Sequence, residues 1–290
     1  MWLGDFGETS VLPRDTVENG MTAIVINHSA QGFVIAADGR LRCDDESRRK
    51  ASSQILALET NTQQKIFQAN TAQGILGYAV TGTVRDPQGF DLMTIAQEHS
   101  DSISTRHFGD VRSYLRTLGG KINKAINDAR QDGTLETLPQ TKKVESTSAW
   151  YIAALHFSGY FNGEPCLWNI EFSHQGRNSR FDIYRPCLKS TQFLGSEIVR
   201  NCMYGDGTLT AYRDPRFYDF VRGVPPHLSL ENAREFAIGY IAACSSPLGL
   251  EVDEPNCKGI GGHIHMATIT QSEGFVWAIE PVERDAYLCS

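Results

Sequence analysis

Thr22-Ala23-Ile24-Val25-Ile26 and Gly32-Phe33-Val34-Ile35-Ala36-Ala37-Asp38 decide the fold. Each is rich in β-branched or apolar residues and reads as a strand. The intervening Asn27-His28-Ser29-Ala30-Gln31 is turn-like, so the two runs predict an antiparallel hairpin. Apolar residues at nearly every position, rather than every second one, predict a sheet covered on both faces.

Working outward, further strands are predicted at Lys65–Gln68, Gly74–Gly82, Ala149–Phe157, Cys166–Phe172, Arg180–Tyr184, His263–Thr270 and Phe275–Ile279. Asn162-Gly163 is a hairpin signal. A helix is expected from Asp86 or Pro87 to about His107, and a second from about Asp110 to Arg130. The second carries Val111, Leu115, Leu118, Ile122 and Ile126 at helical spacing, with Gly119-Gly120 marking a place for a bend. A short helix follows Phe193-Leu194-Gly195-Ser196, and another major helix spans 229–244 with Ser229 as N-cap. Residues 204–227 carry Gly, Pro and aromatics without period and read as an insertion loop. Strands, two helices, strands, helix, strands is an order that two mainly antiparallel sheets with outer helices would bury. No linker divides the chain.

Of 290 residues, 41% are hydrophobic and 21% charged, which excludes disorder for the bulk of the chain. The net charge is −7, and the one basic cluster, Arg48-Arg49-Lys50, directly follows Asp44-Asp45-Glu46. No basic face is announced, so nucleic acid is not an expected partner. No apolar run approaches the roughly 20 residues that cross a bilayer. Residues 1–8 are acidic and lack a secretory signal's basic start, so a cytoplasmic location is expected. The seven cysteines (Cys43, Cys166, Cys187, Cys202, Cys244, Cys257 and Cys289) contain no C-x-x-C pair and read as reduced thiols.

Thr22, Asp38 and Lys65 form the chemical hypothesis. In a hairpin, the start of the first strand lies beside the end of the second, so Thr22 and Asp38 share one end of the sheet. Lys65, entering from a loop, can lie between them. The trio makes chemical sense if Thr22 is the mature N-terminus. A threonine hydroxyl needs a base, and a free α-amine with a pKa of about 7.7–8.0 is one. The Lys65 ammonium would disfavour protonation of that amine, and Asp38 would hold Lys65 in place. Backbone N–H groups near Thr81-Gly82-Thr83 could receive an oxyanion. Initiation at Met21 followed by removal of that Met, or cleavage of residues 1–21, would expose Thr22. Spacing alone leaves a plainer reading open: a strand threonine, a turn aspartate and a surface lysine.

Other candidates carry less. His263 and His265 alternate along a strand but lack a visible third ligand for a metal. Cys43 sits beside acids that dull a thiolate. Gly205-Asp206-Gly207 lacks the Gly-Lys-Ser/Thr of a phosphate loop. Trp150, Trp168 and Trp277 read as strand residues in the core.

Thr22-x-Ile-Val, Gly32-Phe-Val-Ile-Ala-Ala-Asp38-Gly-Arg40, Lys65-Ile-Phe and Gly77-Tyr-Ala-Val-Thr-Gly82 together resemble proteasome β-type subunits and their bacterial relatives. These are N-terminal-nucleophile hydrolases of the threonine protease class. Gly82 matches their oxyanion glycine, Gly195-Ser196 looks like their serine region, and Gly261-Gly262 resembles their late "GG" strand. The resemblance implies an α+β fold: a four-layer αββα sandwich of the N-terminal-nucleophile hydrolase type, two mainly antiparallel sheets between helical layers. Residues 1–21 become an extension or propeptide, and 22–290 one hydrolase domain. It implies Thr22, Asp38, Lys65, Gly82 and Ser196 as catalytic residues, no cofactor and no metal. It also implies peptide or unfolded protein as substrate, a ring-like homo-oligomer and an ATPase partner. The sequence departs from the pattern at Met21, in the long stretch between Asp38 and Lys65, and near the "GG" strand. There Cys257 and Ile260 stand where the family has Asp and Ser, with Asp253 and Asn256 nearby. Two rival functions fit the same pattern: an amidase or acylase acting on a small molecule, and a non-catalytic assembly subunit.

Overall fold

A computed structural model describes residues 22–40, 60–82, 85–86, 89–135, 149–176, 178–205, 213–221 and 226–282. The expectations on residues 1–21, Cys43, the 48–50 cluster, Thr83, Cys289 and much of 204–227 lie outside them.

The fold is α+β, with two antiparallel sheets plus helices. The hairpin forms from β1 (Ile24–Ser29) and β2 (Gly32–Ala37), in the register Ile24 to Ala37 and Ser29 to Gly32. Its turn is shorter than the composition suggests. Asn27, His28 and Ser29 continue the strand, and the Ser29 hydroxyl donates to the Gly32 carbonyl at 3.0 Å, closing the chain over two residues. The other strands are β3 (Ile66–Thr71), β4 (Gly74–Gly82), β5 (Trp150–Phe161), β6 (Glu164–Gln175), β7 (Asn178–Tyr184), β8 (Gln192–Leu194), β9 (His265–Thr270) and β10 (Gly274–Ile279). One sheet runs β10-β9-β2-β1-β8 and the other β3-β4-β5-β6-β7. Asn162-Gly163 turns β5 into β6 as the dipeptide predicts.

The helices are α1 (Leu92–Ile103), α2 (Val111–Asp132), α3 (Glu197–Tyr204), α4 (Leu230–Ser245), α5 (Pro247–Val252) and α6 (Glu254–Cys257). Capping sets their starts. Asp91 accepts from the N–H groups of Met93 and Thr94, so α1 begins later than Pro87, and Asp110 caps α2 through Ser113. Helix α2 runs through Gly119-Gly120 as one element. Gly119 instead makes room for β7, because a Cβ there would stand 2.7 Å from the Phe181 ring. Within 204–227, the described part carries a 3₁₀ turn at Pro215–Phe217, with Phe217 fully buried.

Among the described residues, three apolar clusters organise the core. One joins α1 and α2 to Leu76, Tyr78, Leu155, Phe157, Ile170 and Phe172 of the second sheet. Another joins α4 to Ala23, Val25, Val34 and Ala36 of the first. The third, including Ile24, Ile26, Phe33, Ile35, Ala79 and Ala267, joins the two sheets. Alternate residues of β1 and β2 thus enter different clusters, so both faces of that hairpin are covered. Trp168 and Trp277 are only partly buried and flank these clusters.

Candidate active site

The site lies where β1 begins and β2 ends. Ala23 and Asp38 extend the hairpin by one pair: the Asp38 N–H donates to the Ala23 carbonyl at 3.0 Å, and the Ala23 N–H donates to Asp38 Oδ1 at 2.9 Å. Hairpin register therefore places Asp38 against the residue after Thr22. The Asp38 carboxylate is fully buried and fully satisfied. Oδ1 also accepts from Lys65 Nζ at 2.8 Å, and Oδ2 accepts the N–H groups of Arg40 at 3.2 Å and Gly261 at 3.1 Å.

Lys65 is almost completely buried, and its ammonium bridges Asp38 and the Thr22 hydroxyl, donating to Thr22 Oγ1 at 3.3 Å. Burial lowers its pKa most, Asp38 opposes that, and the Arg40 charge adds to the lowering. Thr22 itself is half-buried. The geometry brings Thr22, Asp38 and Lys65 together, as the hairpin argument expects.

Ser196 stands on the other side of Thr22. Gly195 has φ +135°, and a Cβ there would lie 2.9 Å from the Tyr240 hydroxyl and 3.4 Å from the Thr22 carbonyl oxygen, so that position admits backbone only. Ser196 is fully buried and does two things. It accepts from the Val199 N–H at 2.9 Å, capping α3, and it donates to Asp253 Oδ2. Asn256 Nδ2 donates to the same carboxylate at 3.1 and 3.2 Å, and the Tyr240 hydroxyl donates to the Ser196 carbonyl at 3.1 Å. The polar partners of Ser196 are thus Asp253 and, through it, Asn256, the two residues that lie one turn before Cys257 and Ile260. Cys257 instead packs with the buried Cys244 in the cluster beneath α4.

Gly82 ends the strand that pairs with the Lys65 segment. The Val80 N–H donates to the Lys65 carbonyl at 3.0 Å, and β4 ends at Gly82 two residues later. Gly82 has φ +94°, and a Cβ there would lie 2.4 Å from the Ile152 carbonyl oxygen.

Sequence reasoning missed His265. It reads as a packing histidine, but its Nε2 accepts the Lys65 backbone N–H at 2.9 Å. Burial, then the Lys65 charge, lowers its pKa to about 3, so it is neutral and can accept. His263 lies just before β9, its Nε2 2.7 Å from the Glu280 carbonyl. Among the described residues, no group of His, Cys, Asp and Glu is placed to hold a metal ion, and no helix is long and apolar enough to cross a membrane.

No family model matches the chain, and no curated protein matches it. Solved structures similar to it include two of Anbu. One is a Gly-1 mutant of Anbu from Hyphomicrobium sp. strain MC1, with 12% identity and a TM-score of 0.49, covering 91% of this chain and 88% of that one. The other is Anbu, an ancestral β-subunit, from Yersinia bercovieri, with 13% identity and a TM-score of 0.48, covering 90% and 88%. The membership of the proteasome β-type threonine hydrolases that the motifs implied is withdrawn: the solved structures found are of Anbu, and the likeness to them is one of coarse fold.

Proposed function

We propose that the protein hydrolyses peptide bonds, with Thr22 as an N-terminal nucleophile. The observation that carries the reading is the position of Lys65 Nζ, 2.8 Å from Asp38 Oδ1 and 3.3 Å from Thr22 Oγ1, in a nearly dry setting. A buried cation beside a hydroxyl stabilises the alkoxide that develops during attack. The helix, sheet, sheet, helix order of the three clusters supports the four-layer αββα arrangement that N-terminal-nucleophile hydrolases use.

The chemistry begins once the Met21–Thr22 bond is gone and the Thr22 amine is free. That amine takes the Oγ1 proton, and Oγ1 attacks the substrate carbonyl. The Gly82 N–H receives the oxyanion. The carbon–nitrogen bond breaks, the leaving amine takes the proton, and an ester to Thr22 remains. Water then attacks the ester, its proton returns through the α-amine to Oγ1, and the acid leaves. Lys65 disfavours protonation of the amine at rest, Asp38 holds Lys65, and Ser196 with Asp253 lines the approach to the Thr22 backbone.

The test is N-terminal sequencing and intact mass of the purified chain, with cleavage of a peptide library by wild type and Thr22→Ala. A chain beginning at Thr22, and a loss of about 10³-fold or more in the variant, is the expected result. Wild-type turnover by Thr22→Ala overturns the reading. Thr22 still joined to Met21, with no turnover, converts it to a non-catalytic assembly role. Turnover of small acyl amides but not peptides keeps Thr22 and changes the substrate.

A further inference from the structure

We propose that Thr81, Tyr151 and His156 form a buried brace that positions the Gly82 N–H, and that they are positioning residues for the oxyanion rather than core filling. This rests on the function proposed above, in which that N–H receives the oxyanion.

Thr81 Oγ1 lies 2.9 Å from the Tyr151 hydroxyl and 3.1 Å from His156 Nε2, and all three residues are buried. Both partners come from β5, the strand paired with β4. The Gly82 N–H belongs to the peptide unit that links it to Thr81. Anchoring the Thr81 side chain at two points therefore fixes the plane in which that N–H lies. From the other side, the Ile152 carbonyl and the Ala153 Cα crowd Gly82 within 2.4 and 2.6 Å of where a Cβ would be.

Strand alternation makes the brace unusual. Leu155 and Phe157 of β5 enter the cluster against α1 and α2, and continued alternation would send Tyr151 to that face too. The β5–β6 register shifts between Tyr151 and Ala153, and that bulge turns Tyr151 onto Thr81. A bulge is thus placed opposite Gly82, and its result is a hydrogen bond to the residue before it.

The hydrogen-bond roles are consistent. A threonine hydroxyl donates once and accepts twice. His156 is neutral, because burial lowers its pKa to about 4, so one ring nitrogen is an acceptor. Asn169 is directly paired with His156 across β5–β6, and its side chain hydrogen-bonds the imidazole, partly offsetting the effect of burial. An acceptor on the Nδ1 side favours a proton there, which leaves Nε2 to accept from Thr81 while Tyr151 donates to it. Polar groups in such a setting are costly unless paired, and paired they rigidify what they hold.

The experiment compares Thr81→Val, Thr81→Ser and Tyr151→Phe in the mature enzyme on a cleaved peptide. Thr81→Val and Tyr151→Phe are expected to lower kcat by about 10-fold or more, with KM within about twofold, because the oxyanion forms only in the transition state. Thr81→Ser, which keeps the hydroxyl, is expected within about threefold of wild type. A peptide boronate, whose tetrahedral adduct presents an oxygen to the Gly82 N–H, is expected to weaken in the same proportion as kcat/KM, while a non-cleavable peptide competes unchanged. Unchanged kcat in the folded variants, a rise in KM alone, or no rescue by Thr81→Ser overturns the proposal. If Thr81→Val does not fold, Tyr151→Phe is decisive, since it removes one oxygen, and a folded Tyr151→Phe with wild-type kcat overturns it. A dead Thr22→Ala beside an unimpaired Thr81→Val removes the brace alone. An active Thr22→Ala removes the underlying function, and the brace with it.

Discussion

The Lys65 N–H donates to His265 Nε2 at 2.9 Å, a bond that ties the entry of β3 in one sheet to β9 in the other. Only a neutral imidazole can accept it, and His265 and His156 are both buried with pKa values held far below the ordinary 6.5, at about 3 and about 4.

Acid is therefore expected to unfold the protein. Between pH 6.5 and the folded pKa values, the unfolded chain binds more protons at these histidines than the native one. Stability is full above pH 6.5 and falls as pH drops through that window. By pH 5 each histidine is expected to withdraw about 2 kcal/mol. Urea unfolding at pH 7 and pH 5 checks this, and His265→Asn is expected to flatten the dependence.

Asp38→Asn is expected to leave the Lys65 ammonium buried without its counter-charge, at a cost of about 3–5 kcal/mol, and to abolish peptide turnover. A double Asp38→Asn, Lys65→Met variant is expected to recover much of the stability but none of the activity. Thermal unfolding beside a peptide assay separates the two effects.

Gly82→Ala is expected to cost about 1–3 kcal/mol from backbone strain at φ +94°, and more from the clash with the Ile152 carbonyl. Activity is expected to fall further than stability, because the chain can relieve the clash only by moving the Gly82 N–H. Urea unfolding and kcat measured on the same preparation check it.

Ser196→Ala removes the α3 cap and leaves Asp253 with one donor fewer. A loss of about 1–2 kcal/mol is expected. Asn256→Ala is expected to lower activity without uncapping α3, which circular dichroism and turnover together distinguish.

Local chemistry was enough for much of this molecule. The paired β-branched runs of β1 and β2 imply the hairpin, and hairpin geometry alone puts Thr22 and Asp38 at one end of the sheet. Repeating apolar residues at helical spacing located α2, and Ser229 located the start of α4, because caps and periods act within a few residues. The contacts that complete the site escaped such reading. Lys65 meets His265 across 200 positions, Gly261 meets Asp38 across 223, and Ser196 meets Asp253 across 57. Motif spacing puts Cys257 and Ile260 at the family's polar positions and marks Asp253 and Asn256 only as nearby, because spacing along the chain carries no distance in space. Strand β8 lies where the sequence predicts only a lead-in to α3, since three residues have no period of their own and pair only because β1 offers an edge. The bulge that turns Tyr151 to Thr81 is equally silent in composition. Periodicity assigns a residue to a face, and only the closing of one sheet over the other selects which polar groups share a proton.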